Sequence, residues 1–141
     1  MEKALEGERK LGVCFQFSSV AQSRELGDYD YLLCDRSKVC LLAYGLGYGL
    51  MNPNNVYDKL KETPDSDLLF YFDIDPKVAI ERIGKSRSNF EEDETIENLA
   101  RAGMYYSKVF NDYNFNPVYI DANEPEDEIT KKLILSINEI K

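Results

Sequence analysis

The chain has 141 residues, 43% of them hydrophobic, with 26 acidic against 17 basic side chains, a formal charge of −9 and no histidine. That composition supports one globular domain with a core. It argues against nonspecific nucleic-acid binding, which needs clustered positive charge, and it removes His-based acid–base catalysis and most zinc chemistry. No apolar run reaches the roughly 18 residues of a membrane span, and the charged start Met1–Lys10 does not read as a signal peptide. The expectation is a cytoplasmic protein with neither a membrane nor a nucleic-acid partner. Cys14, Cys34 and Cys40 are odd in number and lack paired ligand spacing, so they read as reduced thiols.

Met1 to about Lys10 reads as a charged helix or a frayed terminus. Val13, Phe17, Val20 and Leu26 form a helical stripe within Leu11–Leu26, and Gly27 stands where a C-cap glycine would. Tyr31–Cys34 is predicted as a buried strand ending in Asp35-Arg36. In Ser37–Leu50 three glycines alternate with large apolar residues. Such a stretch can cradle phosphate, but it lacks the Gly-Lys-Ser/Thr ending of a P-loop. Its spacing favours a flexible connection with apolar anchors. Asn52–Thr63 reads as a short helix with Pro53 near its start and Val56 and Leu60 on one face, broken by Pro64-Asp65.

Ser66–Arg82 organises the rest. Leu68–Phe72 has the composition of a strand buried on both faces of a parallel sheet. Asp73 and Asp75 follow at its carboxyl end. Asp75 is placed to cap a helix whose first residue is Pro76, where a missing N–H costs nothing. In open α/β sheets ligands bind beyond the carboxyl ends of the strands. Gly84–Asn89 is polar and basic and Glu91–Glu94 acidic, which is loop composition. Ile96, Leu99, Gly103, Tyr106 and Phe110 mark a long amphipathic helix. Asn111–Pro117 is a loop, Val118–Ile120 a strand ending in Asp121-Ala122-Asn123, and a last helix begins near Pro125 with Ile129, Leu133, Ile137 and Ile140 on one face. The predicted fold is α/β: a mainly parallel sheet of about three strands flanked by helices, one domain over 1–141.

An Asp after a strand is most often a helix cap or turn former. Asp35-Arg36 carries more chemistry. The carboxylate can orient a Mg²⁺-bound water, and the guanidinium can hold a phosphate through its bidentate fork. The alternative is a mutual ion pair.

The order of these features resembles the carboxyl-terminal two-thirds of the thymidylate kinase family, P-loop nucleoside monophosphate kinases. The resemblance rests on Cys34-Asp35-Arg36-Ser37, Leu42-Ala43-Tyr44-Gly45, Gly47-Tyr48-Gly49-Leu50, Phe72-Asp73-Ile74-Asp75-Pro76 through Ala79 to Glu81-Arg82, Tyr106, and Tyr119-Ile120-Asp121-Ala122. It implies an incomplete P-loop kinase-like sheet and ATP- and Mg²⁺-dependent phosphoryl transfer to a pyrimidine nucleoside monophosphate, dTMP in the family. It further implies that Asp35 and Arg36 are catalytic, with Arg36 on the phosphates and Asp35 positioning Mg²⁺ through water or the acceptor. Tyr44 and Tyr106 would border the acceptor pocket. Arg82, Lys85 and Arg87 would close over the donor phosphates, with about 84–94 as a lid-like loop. Core packing is the competing role for Tyr106, and ordinary surface charge for Arg82, Lys85 and Arg87.

The chain departs from the family in several places. No Gly-x-x-x-x-Gly-Lys-Ser/Thr occurs in it. Ser37 stands where the family has Tyr, Gly45 where it has Gln, and Asn89-Phe90-Glu91 where the lid has Arg-Phe-Glu. Three expectations compete: a fragment or mis-started product of a longer kinase, a chain that pairs with another polypeptide carrying the P-loop half, or a degenerate relative that folds differently and binds without catalysing. The alternative function is a noncatalytic half-domain or pseudokinase, an interaction or oligomerisation module that buries its open sheet against a partner or a copy of itself. On its own the chain is expected to be inactive.

Overall fold

A computed structural model describes residues 31–47, 49, 52–61, 65–91 and 94–140. The expected N-terminal helix, the Leu11–Leu26 stripe and its Gly27 cap lie outside the described residues. Those that are described fall into two compact units. One runs up to Asp65 and takes in Tyr105–Tyr113; the other comprises Ser66–Met104 and the chain from Asn114 onward.

The first unit is helical. Helix α1 is Lys38–Gly47 and α2 is Pro53–Leu60. Ser37 starts α1: its Oγ accepts from the Val39 N–H at 3.3 Å and its carbonyl from the Cys40 N–H at 3.0 Å. Asn52 starts α2 the same way, accepting from the Asn54 N–H at 3.0 Å with Pro53 in the first turn. The two helices pack on each other. Their core holds Val39, Leu41, Leu42 and Ala43 from α1 and Leu60 from α2, with Val109 and Phe110 also buried in this unit. Lys38 is buried and ion-paired to Asp65 at 2.5 Å.

Two expectations are corrected here. Lys38–Gly47 is helix, not a glycine-rich loop, because Val39, Leu42, Ala43 and Leu46 recur at spacings of three and four and most are buried. Burial of that face outweighs the roughly 1 kcal/mol that each interior glycine costs. The Cβ that Gly47 lacks would sit 3.1 Å from the Tyr105 ring, so the glycine also permits a close approach. Tyr31–Cys34 is irregular and exposed rather than a buried strand, with Leu33 82% accessible. It does not belong to the sheet that the described residues form.

The second unit holds the sheet. Strand β1 is Phe70–Asp73, α3 is Pro76–Ser86, α4 is Ile96–Asp112, whose last turns count with the first unit, β2 is Val118–Asp121 and α5 is Glu126–Glu139. The strands pair in parallel, Phe70 with Val118 through Asp73 with Asp121. The sheet is thus parallel, with two strands among the described residues. Helix α5 packs on β2, where Ile120 and the following Ala122 are buried. Tyr71 and Tyr119, opposite each other in register, meet edge to face with centroids 5.5 Å apart. The expected two-faced burial of β1 is not found: Phe72 is 48% exposed.

Asp75 caps α3 as its spacing predicts. Its Oδ1 accepts from the Lys77 N–H at 2.8 Å and Pro76 opens the helix. The helix continues to Ser86, so the lid-like stretch begins helical and becomes irregular only from Arg87. Thr95 starts α4, its Oγ1 accepting from the Asn98 N–H at 3.1 Å. Asn114 takes the left-handed conformation (φ 56°) after α4, a residue type suited to it. Replacing the cap, Asp75→Ala, is expected to lower stability by about 1 kcal/mol, with Asp75→Ser retaining most of it; urea unfolding of the three proteins measures this.

Candidate functional site

In the first unit, Asp35 and Arg36 immediately precede α1. Arg36 has a left-handed backbone (φ 71°), which costs a non-glycine residue on the order of 1 kcal/mol and often accompanies function. That turn brings its guanidinium over the Tyr44 ring, 5.5 Å from the centroid. Donation to the Tyr44 hydroxyl raises the Arg36 pKa above its usual value, against the desolvation that opposes it. Among the described residues no ion pair joins Arg36 to Asp35, so the mutual pair left open by the sequence is not formed. Asp35 is exposed.

Tyr106 is part of the same cluster. Burial pushes its phenol well above the usual tyrosine range, and the neighbouring Cys40 and Tyr44 add to the rise while Arg36 opposes it. Its ring lies 6.1 Å from that of Phe110. Core packing and a place beside Arg36 therefore coexist at Tyr106. Cys40 was read only as a thiol. It lies one turn into α1, where its Sγ accepts from the Ser37 N–H at 3.5 Å, and its position four residues after Arg36 was the available signal.

In the second unit the carboxyl ends of β1 and β2 are tied together. The Asp75 N–H donates to Asn123 Oδ1 at 2.9 Å. Asn123 in turn donates from its backbone and its amide to Asp121 Oδ1, at 3.0 and 2.8 Å, and these bonds lower the Asp121 pKa. Arg82 spans the turn from α3, donating to the carbonyls of Ala122 at 2.5 Å and of Asn123 and Glu124 at 3.1 Å each. Arg82 is therefore committed to backbone acceptors of its own unit. Sequence reasoning noticed Asn123 and Arg82 but not that they meet, because some 40 residues separate the partners.

The two remaining cations of the lid-like stretch are also partnered. Lys85 Nζ donates to Glu81 Oε1 at 2.6 Å, and Arg87 pairs with Glu94 and, at 3.5 Å, with Glu91. Among the described residues no group of three or more His, Cys, Asp or Glu side chains is arranged to hold a metal ion. No helix there is long and apolar enough to cross a membrane.

The family model for thymidylate kinase matches residues 18–133 of this chain. A thymidylate kinase of Leptospira interrogans is 27% identical over an alignment covering 95% of this chain and 70% of its own length. A probable thymidylate kinase of Saccharolobus solfataricus is 29% identical over 78% of this chain and 56% of its own length. One of Methanosarcina mazei reaches 37% identity over 52% of this chain and 35% of its own. The chain thus spans from about a third to 70% of the length of these relatives. No solved structure matches it.

Two outcomes are expected from this geometry. Arg82→Lys places one point charge where a planar fork served three carbonyls, so it should destabilise nearly as much as Arg82→Met, by about 1–2 kcal/mol in urea unfolding. The raised Tyr106 pKa makes the folded state hold its proton longer than the unfolded chain. Its stabilising term is intact below about pH 10 and is lost as pH rises above that. Tyr71, raised by burial and by Asp73, acts in the same sense. Tyr106→Phe should therefore flatten the alkaline fall in stability by up to about 1.4 kcal/mol per pH unit without abolishing it; denaturant titrations between about pH 9 and 11 read the slope.

Proposed function

We propose a phosphoryl-transfer function from one premise: this chain belongs to the thymidylate kinase family. The reading is that it serves ATP- and Mg²⁺-dependent transfer to a pyrimidine nucleoside monophosphate, dTMP, as one domain with a lid-like stretch at about 84–94. Arg36 is the observation that carries it. This cation has a strained backbone, rests on an aromatic face, and is paired with no carboxylate among the described residues. In a chain of charge −9, a guanidinium that no described carboxylate occupies has its planar fork available to an incoming anion.

Each side chain then has a task. Arg36 holds a phosphate of the nucleotides being joined and stabilises charge on its equatorial oxygens. Asp35, exposed beside it, is free to accept from a metal-bound water. Tyr44 and Tyr106 border the acceptor and exclude water from one side of it. Lys85 and Arg87 supply positive charge to the donor end. A bound Mg²⁺ would supply charge neutralisation across the donor phosphates. The donor set fits a Mg²⁺ held mostly by phosphates and waters, with one carboxylate contributing, which is how this ion is commonly bound.

The absent Gly-x-x-x-x-Gly-Lys-Ser/Thr sets the limit of this reading. Its backbone N–H groups, lysine and hydroxyl normally cradle the triphosphate. The chain by itself is therefore expected to recognise the acceptor while turning over little or no dTMP. Half-exposed Phe72 on β1 supports the second reading, a sheet face covered by a partner chain or a copy, and exposed Leu33 in the other unit is by itself a further apolar contact point.

One experiment tests the proposal. Purified chain is titrated with dTMP and with thymidine by thermal shift, and assayed with ATP, Mg²⁺ and dTMP in a coupled reaction. The expected result is stabilisation by dTMP over thymidine, weakened roughly tenfold in Arg36→Met, with negligible turnover. Equal response to nucleoside and monophosphate would overturn the acceptor assignment. Turnover typical of a kinase would refute the dependence on a P-loop.

A further inference from the structure

The stretch after α3 is folded back on itself through a compact set of contacts. Arg87 ends the helix, its N–H donating to the Ile83 carbonyl at 3.0 Å while its backbone turns extended. Its guanidinium pairs with the Glu94 carboxylate and reaches Glu91 at 3.5 Å. The two acids are themselves joined. The Glu91 N–H donates to Glu94 Oε2 at 2.8 Å, and the Glu94 N–H to the Glu91 carbonyl at 3.0 Å. The Glu94 side chain is only 19% exposed, against 72% for Glu91, so Glu94 is the stronger partner. Phe90 lies over Gly84, where a Cβ would come within 3.2 Å of its ring. Gly84, Arg87, Phe90, Glu91 and Glu94 are thus joined by one set of local contacts.

The root of this stretch is fixed. One turn before Gly84's neighbour Lys85, Arg82 is fastened to three carbonyls of the β2–α5 turn. A movement of the stretch would therefore begin beyond Arg82, and the contacts opposing it are those of Arg87, Phe90, Glu91 and Glu94.

We infer that Glu94 and Glu91 form a carboxylate latch that holds Arg87 in a self-neutralised loop, so that an incoming polyphosphate gains Arg87 only by displacing them. The polyphosphate clause rests on the lid reading proposed above; the latch rests on the contacts alone. An exposed ion pair is individually weak and salt-screened. A network of two pairs sharing one guanidinium, with backbone bonds between the acids, is the arrangement in which such pairs contribute. It is also weak enough for a triphosphate, with more charge and a bidentate fit, to replace it.

The test uses the full-length chain with E91Q/E94Q, R87Q and the triple variant. Hydrogen exchange is followed on peptides covering 84–91, and binding of ATP with Mg²⁺ by calorimetry. Opening the latch should speed exchange roughly threefold to tenfold in E91Q/E94Q, the size expected for two such pairs. About 1 M NaCl should do the same to the wild type and add little to the variant. ATP should bind E91Q/E94Q more tightly by a similar factor, with the gain lost in the triple variant. Exchange that responds to neither salt nor substitution overturns the latch, whatever ATP does. Faster exchange with ATP affinity indifferent to R87Q upholds the latch and removes Arg87 from the donor site. Global unfolding is excluded as the source if exchange in β2 and α5 stays unchanged.

Discussion

Among the described residues β1 and β2 form a two-stranded parallel ribbon, an arrangement marginal on its own in water, and their carboxyl ends are bound by side chains from outside the ladder. Arg82 gathers three consecutive carbonyls that a tight strand–helix turn would otherwise turn to solvent. Asn123 joins that turn to the head of α3 through the Asp75 N–H. The Asp75 carboxylate in turn serves the Lys77 N–H. Each group does two jobs, so the order of the β1–α3 turn depends on the β2–α5 turn and the reverse. Removing the guanidinium returns these carbonyls to solvent and loosens the turn at the place where a sheet of this class presents its ligands.

Local chemistry was legible where it acts over a few residues. Asp75-Pro76, Asn52-Pro53 and the periodic run from Ile96 each formed the helix their spacing announces, and the parallel order of Leu68–Phe72 and Val118–Ile120 followed from strand–helix alternation. Two failures share one cause. Tyr31–Cys34 has the composition of a buried strand, but strand formation needs a neighbour, which composition does not supply. Lys38–Gly47 has the glycines of a loop, but glycine's cost is about 1 kcal/mol and a buried apolar face is worth more. In both, the outcome was set by what packs against the segment.

The candidate site was legible as residue types and not as partners. Arg36 and Tyr44 are eight apart in one local segment, and the left-handed turn at Arg36 brings them together beside α1. Arg82 illustrates the opposite case. Its helical position suggested solvent or phosphate, yet the acceptors that hold it come from a turn 40 residues later. A long cationic side chain takes the densest set of oxygens within reach, and backbone carbonyls at a turn compete with any ligand.

That competition orders the basic residues of this acidic chain. Lys85 and Arg87 sit on carboxylates, and Arg82 on carbonyls. Each must exchange one set of oxygens for another before it can serve an anion, so only the difference between the two sets contributes to binding. Arg36 differs because its partner among the described residues is Tyr44, through the ring face and the hydroxyl. A cation over a ring gains about 0.5–1 kcal/mol when exposed and keeps its full formal charge toward a ligand approaching from the other side. Positive φ at Arg36 makes that placement costly to the fold. The fold thus bears strain at the one cation in this set that has no carboxylate partner among the described residues.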